Sequence, residues 1–374
     1  MDVDAPLTGV RILDFSTLLP GPLATLMLAD AGADVIKIER PGLGDEVRSY
    51  SPKIGDSSAI HALLNRGKRA FAADLGEESD HRRVLQLAAR AQVVVEQFRP
   101  GVADRLGIGY DQLHTVNPGV VYCSISGYGQ HSELRDRAGH DLNYLAQSGL
   151  LGVVTDTAGS PALPVSNLAD IAGGSYPAAL NILLGLRRSE ATGLGCHLDI
   201  SMTHNLQVLA FANLASRRAG AGWPQPNAHL ITGGSPRYHI YRTSDGRHLA
   251  VAALEQKFWK RFVELIGLAP EHQRDVGNEQ QVIGEVGACI AREPAEHWRS
   301  VFASHDSCAT VVDTFDEAAA AGLTDTEVTR RIRGDGYDIA ALYSPVFVEL
   351  LNLGAHAGSP VLEALPADVN GLWA

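Results

Sequence analysis

The sequence predicts an α/β fold, with a large doubly wound domain on a parallel sheet joined to a smaller α+β domain. Three observations predict it. The chain has 374 residues, more than a single core usually organises, so two domains are expected. Short apolar runs alternate with stretches of helical spacing through its first half, which is the rhythm of βαβ units and a parallel sheet. The composition then shifts to Gly, Pro and Asn over Ala219–Pro236, and a hairpin pattern follows.

Val10–Leu13 reads as a strand ending at Asp14, Ser16–Pro22 as a turn, Leu23–Leu28 as a helix stopping at Gly32, and Asp34–Ile38 as the next strand. Strand, helix and strand within ~30 residues make one βαβ unit. The alternation continues with a helix over Arg82–Ala91 and strands at Val93–Glu96 and Val120–Ile125. A helix begins near Asp141 and runs through Gln147–Leu151. A long small-residue helix covers Leu168–Leu186, with a kink expected at Pro177. Cys196–Ile200 reads as a strand and Met202–Arg218 as a helical crossover. Beyond the linker, Tyr238–Thr243 and His248–Ala253 flank an Asp245-Gly246 turn, and helices are expected at Gln256–Ile266 and Pro294–Ser304. The expected division is therefore a large domain over residues 1–200, a crossover and linker over 201–236, a small domain over 237–325, and a return of 326–374 to the large domain.

A formal net charge of −12 argues against broad nucleic-acid or membrane-surface binding. An anionic ligand would need a local basic pocket. Cys123, Cys196, Cys289 and Cys308 are scattered, with no CxxC and no zinc spacing, so free thiols and no metal are expected. The first residues carry acids where a leader needs bases, no run approaches the ~18 apolar residues of a membrane helix, and Asn370–Ala374 is no peroxisomal address. These features predict a cytoplasmic protein.

The first turn, SerThrLeuLeuProGlyPro at 16–22, is not GxGxxG, which disfavours a dinucleotide pyrophosphate site. Three segments can carry chemistry. His140 and Asp141 stand between Gly139 and an apolar helix. Either residue could simply cap the helix, or the helix N-terminus could keep His140 able to accept a proton. Asp170 falls in the first turn of the small-residue helix, beside Gly173 and Gly174. It could complement the helix dipole, or the glycines could let a ligand approach the backbone. Glu255 stands where a strand becomes a helix and could be a plain helix-start acid. Arg40, Lys68, Arg99 and Arg105 are read at or just beyond strand ends, where open α/β sheets bind ligands. Their grouping in an acidic chain suggests a phosphate-bearing ligand.

Together these segments resemble the family III CoA-transferases (the CaiB/BaiF-like family), and within them the α-methylacyl-CoA racemase branch. The resemblance runs through most of residues 8–318. It rests on LeuProGlyPro (19–22), AlaAspValIleLysIleGluArgProGly (33–42), AsnArgGlyLysArg (65–69), PheArgProGlyVal (98–102), AspArgLeuGlyIleGly (104–109), SerIleSerGlyTyrGly (124–129) and GlyHisAspLeuAsnTyr (139–144). It implies a Rossmann-like large domain built from both ends of the chain, a small middle domain and an interlocked homodimer. It also implies an acyl-CoA substrate, with no tightly bound cofactor. His140 and Asp170 match the two proton-transfer groups of the racemase branch, and Glu255 matches the glutamate that partners the histidine. Contacts to coenzyme A carry over to Arg40, Lys68, Arg99 and Arg105, and more loosely to Gly127, Tyr128, Gly129 and Tyr144. In the transferase branch the residue matching Asp170 is a nucleophile that forms thioester intermediates, and an aromatic residue commonly stands at position 140. SerCysAlaThrValVal (307–312) lacks the proline usual in the family, and the chain departs from the family pattern after Ala318.

The expected reaction is racemisation of a 2-methylacyl-CoA by 1,1-proton transfer through an enolate, with His140 on one face of the carbon and Asp170 on the other. The enolate oxygen is expected to lie on backbone amides at the start of the Asp170 helix. The alternative is CoA transfer between carboxylic acids through an Asp170 thioester intermediate.

Overall fold

The computed structural model describes residues 5–55, 57–155, 159–223, 225–322, 331–334, 337–352 and 358–373. The acids Asp2 and Asp4 of the leader argument, residues 323–325 of the expected small domain, and residues 326–330, 335–336, 353–357 and 374 of the expected return to the large domain lie outside the described residues. The chain divides into two compact units. One takes the described residues of Met1–Ser148, Pro164–Val208 and Thr326–Ala374, and the other those of Gly149–Leu163 and Leu209–Asp325.

The first unit is built on seven parallel strands: β1 (Arg11–Asp14), β2 (Asp34–Glu39), β3 (Arg69–Ala72), β4 (Val93–Glu96), β5 (Val121–Ser126), β6 (Cys196–Ser201) and β7 (Leu362–Ala364). Their spatial order is β7-β3-β2-β1-β4-β5-β6. The register pairs Leu13 with Ile36 on one side and with Val94 on the other, and Leu362 with Ala70 at the far edge. The central strands are buried on both faces, which is why they read as continuous apolar runs. The strand order reverses between β1 and β4. The crevice beyond their carboxyl ends is the place where such sheets bind ligands.

The helices of this unit that matter for the site are α1 (Pro20–Asp30), α2 (Glu78–Ala88), α3 (Asp141–Ser148), α4 (Tyr176–Thr192) and α5 (Met202–Asn205). α1 starts three residues earlier than its spacing suggested. Pro20 and Pro22 lie inside its first turn, where a missing amide proton costs nothing. The predicted single helix over Leu168–Leu186 is instead a π-helix, Ala169–Ser175, running into α4. Pro177 cannot donate to the carbonyl four residues back, and that carbonyl, Gly173 O, accepts from Asn205 Nδ2 at 2.8 Å. The expected kink is therefore a change of helical winding before the proline. The predicted helix over Met202–Arg218 breaks into α5, a 3-10 turn at Leu206–Val208, and Phe211–Arg218.

Under the crevice lies a buried ion network. Lys37, in the middle of β2, is fully buried, donates to Ser16 O and pairs with Asp45 at 3.1 Å. Asp14 accepts from Thr25 Oγ1 at 2.6 Å and from Ser16, and Lys68 Nζ stands 3.6 Å away. Burial works against ionisation of Asp14, but Lys37, Lys68 and the two hydroxyls outweigh it and hold its carboxyl below the usual range. Asp45 also receives the Leu18 amide at 3.1 Å. That residue has φ of +63°, a costly conformation for leucine. The network thus fixes the turn that follows β1.

The second unit has its own core, with Leu249, Trp259, Phe262 and Trp298 among its buried residues. Strands Tyr238–Arg242 and His248–Ala252 form the hairpin read from the sequence, joined antiparallel to a third strand, Ala309–Val311. Helices Phe211–Arg218, Gln256–Leu265, Glu279–Ile290, Ala295–Ala303 and Phe315–Ala320 belong to the same unit. No helix of the described residues is long and apolar enough to cross a membrane.

Replacing Lys37 by Met should cost about 3–5 kcal/mol of unfolding free energy, because it leaves buried carboxylates without their cation. Denaturant titration reads this directly, and a loss below about 1 kcal/mol would remove the network from the account.

Candidate active site

Two adjoining cavities open beyond the carboxyl ends of β1, β2 and β4, both within the first unit. One, of about 480 Å³, is lined by His140, Asp170, Tyr144, Arg99, Gly127 and Tyr128 among others. The other, of about 640 Å³, takes its walls from Arg40 and the apolar Phe15, Ile38, Leu75 and Leu106. Thr17, Leu18, Glu46 and Phe98 line both, so the two form one groove.

His140 immediately precedes α3. Its carbonyl accepts from Asn143 N at 2.8 Å, and its own amide donates to Asn143 Oδ1 at 3.1 Å. The backbone of His140 therefore caps the helix while its exposed side chain is left to the cavity. Asp141 was the other candidate cap. Its buried carboxylate instead accepts the Asp170 amide at 2.9 Å. This bond ties the start of α3 to the π-helix and brings residues 140 and 170 to one cavity.

Burial, and after it the negative charge of Asp141, push the Asp170 carboxyl up to about 7. Two carboxylates so close resist ionising together. The Asp170 amide, one of the backbone amides at the start of this helix expected to receive the enolate oxygen, is thus already occupied. At the start of α3 only the Asn143 and Tyr144 amides bond back to the His140 carbonyl, as the first turn of a helix leaves its leading amides without helical acceptors.

Gly173 and Gly174 correct a second expectation. A Cβ on Gly173 would lie 2.4 Å from Met202 O, and one on Gly174 would lie 3.0 Å from Pro20 Cβ. These glycines let the π-helix pack on α5 and α1 and do not make room for a ligand. Gly127 and Gly139 likewise clear space for the Tyr144 ring, which an added Cβ would approach to 2.4 and 2.8 Å. The Tyr144 hydroxyl donates to Gly139 O at 2.5 Å, and the ring meets Tyr128 edge-on. Gly129, with φ of +88°, turns the loop while its amide donates to Ser126 Oγ at 3.0 Å.

The four predicted phosphate-binding cations are not brought together. Arg99 and Arg40 reach the groove, Arg40 half-exposed and 3.3 Å from Glu46. Arg105 is exposed on the one-turn helix Val102–Arg105 and lines neither cavity. Lys68 precedes β3 rather than following a strand. Its buried ammonium donates to Pro22 O at 2.8 Å and Asn65 Oδ1 at 3.0 Å. It braces α1 from a buried position and lines neither cavity. Glu255 lies in the second unit at the N-cap of helix Gln256–Leu265. Its carbonyl caps that helix, but its exposed carboxylate does not. The sequence reading missed Arg135 and Arg137, which line the His140 cavity. Their signal was two arginines directly before the GlyHisAsp segment.

The model of CoA-transferase family III matches residues 7–364, and the chain belongs to that family. It is 32% identical over 315 residues to the alpha-methylacyl-CoA racemase of Homo sapiens, spanning 83% of this chain and 78% of that protein. It is 31% identical over 339 residues to the acetyl-CoA:oxalate CoA-transferase of Acetobacter aceti, spanning 86% and 84%. Among solved structures it resembles a CaiB/BaiF family protein from Brucella suis, with a TM-score of 0.83 at 25% identity over the full length of both chains. The protein is thus an enzyme of acyl-CoA metabolism.

Asp170→Asn should reveal the cost of the half-buried acid. An unfolded aspartate loses its proton near 3.8, whereas the folded one keeps it to about 7, so its penalty on stability grows as pH rises between these values. The variant should exceed the wild type by about 4 kcal/mol above pH 7 and match it near pH 4. Unfolding curves at both pH values check this.

Proposed function

We propose that the enzyme racemises 2-methylacyl-CoA thioesters by moving the α-proton through an enolate. The observation that carries this reading is a histidine and an aspartic acid on one cavity, the acid poised near neutrality by burial and by Asp141. A group that must give a proton in one direction and take it in the other works best there.

In one direction the His140 imidazole removes the α-proton, and the electron pair moves through the new C=C bond onto the thioester oxygen. The Asp141 amide and the positive end of α3 stabilise that oxyanion. Protonated Asp170 then delivers its proton to the opposite face as the carbonyl re-forms. His140 ends protonated and Asp170 ionised, and solvent or the reverse reaction resets them. Coenzyme A, as part of the substrate, would lie along the shared groove, with its anionic groups toward Arg40, Arg99, Arg135 and Arg137. Leu18, Ile125 and Met202 offer an apolar wall to the acyl chain. On the family resemblance Glu255 is kept as a proposed catalytic residue.

A second reading is CoA transfer with Asp170 as nucleophile. It is favoured by transferase relatives at the same level of identity as the racemase ones. Ionised Asp170 would attack the thioester carbonyl and expel CoA thiolate, leaving a mixed anhydride.

Two outcomes are expected. His140→Ala and Asp170→Asn should each lower the racemisation rate about 10²–10⁴-fold. Hydroxylamine added with acyl-CoA should leave Asp170 unmodified by mass spectrometry, and a hydroxamate at Asp170 would establish transfer instead.

We also propose a homodimer. Tyr176, Leu180, Leu183 and Leu184 stand 43–60% exposed along one face of α4, an apolar stripe suited to a second copy. Sedimentation should give twice the chain mass, and Leu180→Glu with Leu184→Glu should give monomers.

A further inference from the structure

We propose that Glu96 is a positioning residue for acyl-CoA: its carboxyl group holds the Phe98 amide and so sets the loop that presents Gln97, Phe98 and Arg99 to the groove. This rests on the acyl-CoA reading of that groove.

Glu96 ends β4 with only 3% of its surface exposed. Its Oε2 accepts from Phe98 N at 2.7 Å, closing a tight turn at the switch point of the sheet. The three residues after it all face the ligand groove. Gln97 Oε1 receives the Gly21 amide at 3.0 Å, joining this loop to the start of α1. Phe98 is shared by both cavities, and Arg99 lines the one that holds His140 and Asp170.

Among the described residues no cation forms a salt bridge with this acid. The ionisable groups that face it are Tyr122 and Cys123 from β5, Asp104 from the Val102–Arg105 turn, and Asp199 from β6. Ser124, its partner across the β4–β5 register, favours the ionised form, and the Ser124 hydroxyl lies 2.9 Å from His197 Nε2. Burial, opposed by the Ser124 and Phe98 hydrogen bonds, pushes the Glu96 carboxyl up to about 7. A buried acid without a counterion lowers stability. Nothing in the packing of the sheet requires a carboxyl at this position, where an apolar side chain would continue the run Val93–Val95. What the carboxyl supplies is an acceptor for the Phe98 amide, and with it a fixed Arg99.

The test compares wild type with Glu96→Ala, Glu96→Gln and Ser124→Ala. Acetyl-CoA binding is read by calorimetry, and kcat and KM by α-proton exchange. Glu96→Ala should weaken binding and raise KM about tenfold or more, the value of one lost hydrogen bond to a loop contact, with kcat within about threefold. Glu96→Gln keeps an oxygen for the Phe98 amide and should restore binding to within about threefold of wild type. Ser124→Ala, a milder change that carries the test if Glu96→Ala fails to fold, should weaken binding by a smaller factor. Wild-type affinity in both Glu96→Ala and Ser124→Ala, or a Gln variant as weak as Ala, would overturn the inference alone. A wild-type protein that binds no acetyl-CoA would overturn it together with the reading of the groove.

Discussion

One hydrogen bond organises the site: the carboxylate of Asp141 accepting the amide of Asp170. Residues 140 and 170 belong to separate segments of the first unit, and this bond joins the first turn of one helix to the first turn of the other. It has three consequences at once. It sets the histidine and the aspartic acid on a common cavity. It places a negative charge beside the Asp170 carboxyl and so raises its proton affinity. It also occupies the Asp170 amide. A neutral cap in place of Asp141 would supply the first of these but not the second.

The surroundings explain how such a costly arrangement persists. The sheet reverses its strand order between β1 and β4, so the loops after these two strands diverge and leave a groove. The turn after β1 holds Leu18 in a strained conformation, and buried ion pairs beneath it make that conformation the one compatible with satisfied charges. The π-helix brings Asp170 forward, and its glycines pack so closely on α5 that the segment has little room to relax. Stability is thereby concentrated below the groove and given up within it, where the half-buried Asp170 and the buried Glu96 form no salt bridge among the described residues.

Much of this was legible in the sequence, and the exceptions have physical causes. Strands such as Val93–Glu96 were found within a residue because burial on both faces makes them continuous apolar runs. Strands β3 and β7 are only three or four residues long, and β7 pairs with a segment nearly three hundred residues away, so no local pattern announces it. His140 and Asp170 were found from their helix-start context and the family resemblance. Asp141 was noticed only as a cap, because a side chain that caps a different helix leaves no mark in local spacing. Lys68 was misplaced because a lysine beside a strand reads as a surface cation until its partners are known. Lys37 offered a clearer sign, a lone cation inside an otherwise apolar central strand, which burial permits only when carboxylates await it.

The central claim is that two groups on opposite faces of one carbon move its proton. The most direct measurement follows a single enantiomer of a 2-methylacyl-CoA in deuterated water, resolving the two product configurations by chiral chromatography and mass. The account predicts that inverted thioester carries one solvent deuteron from the earliest times, while residual substrate keeps its proton and no CoA is transferred. Acyl groups that pass to an added carboxylic acid with configuration and proton intact would contradict it.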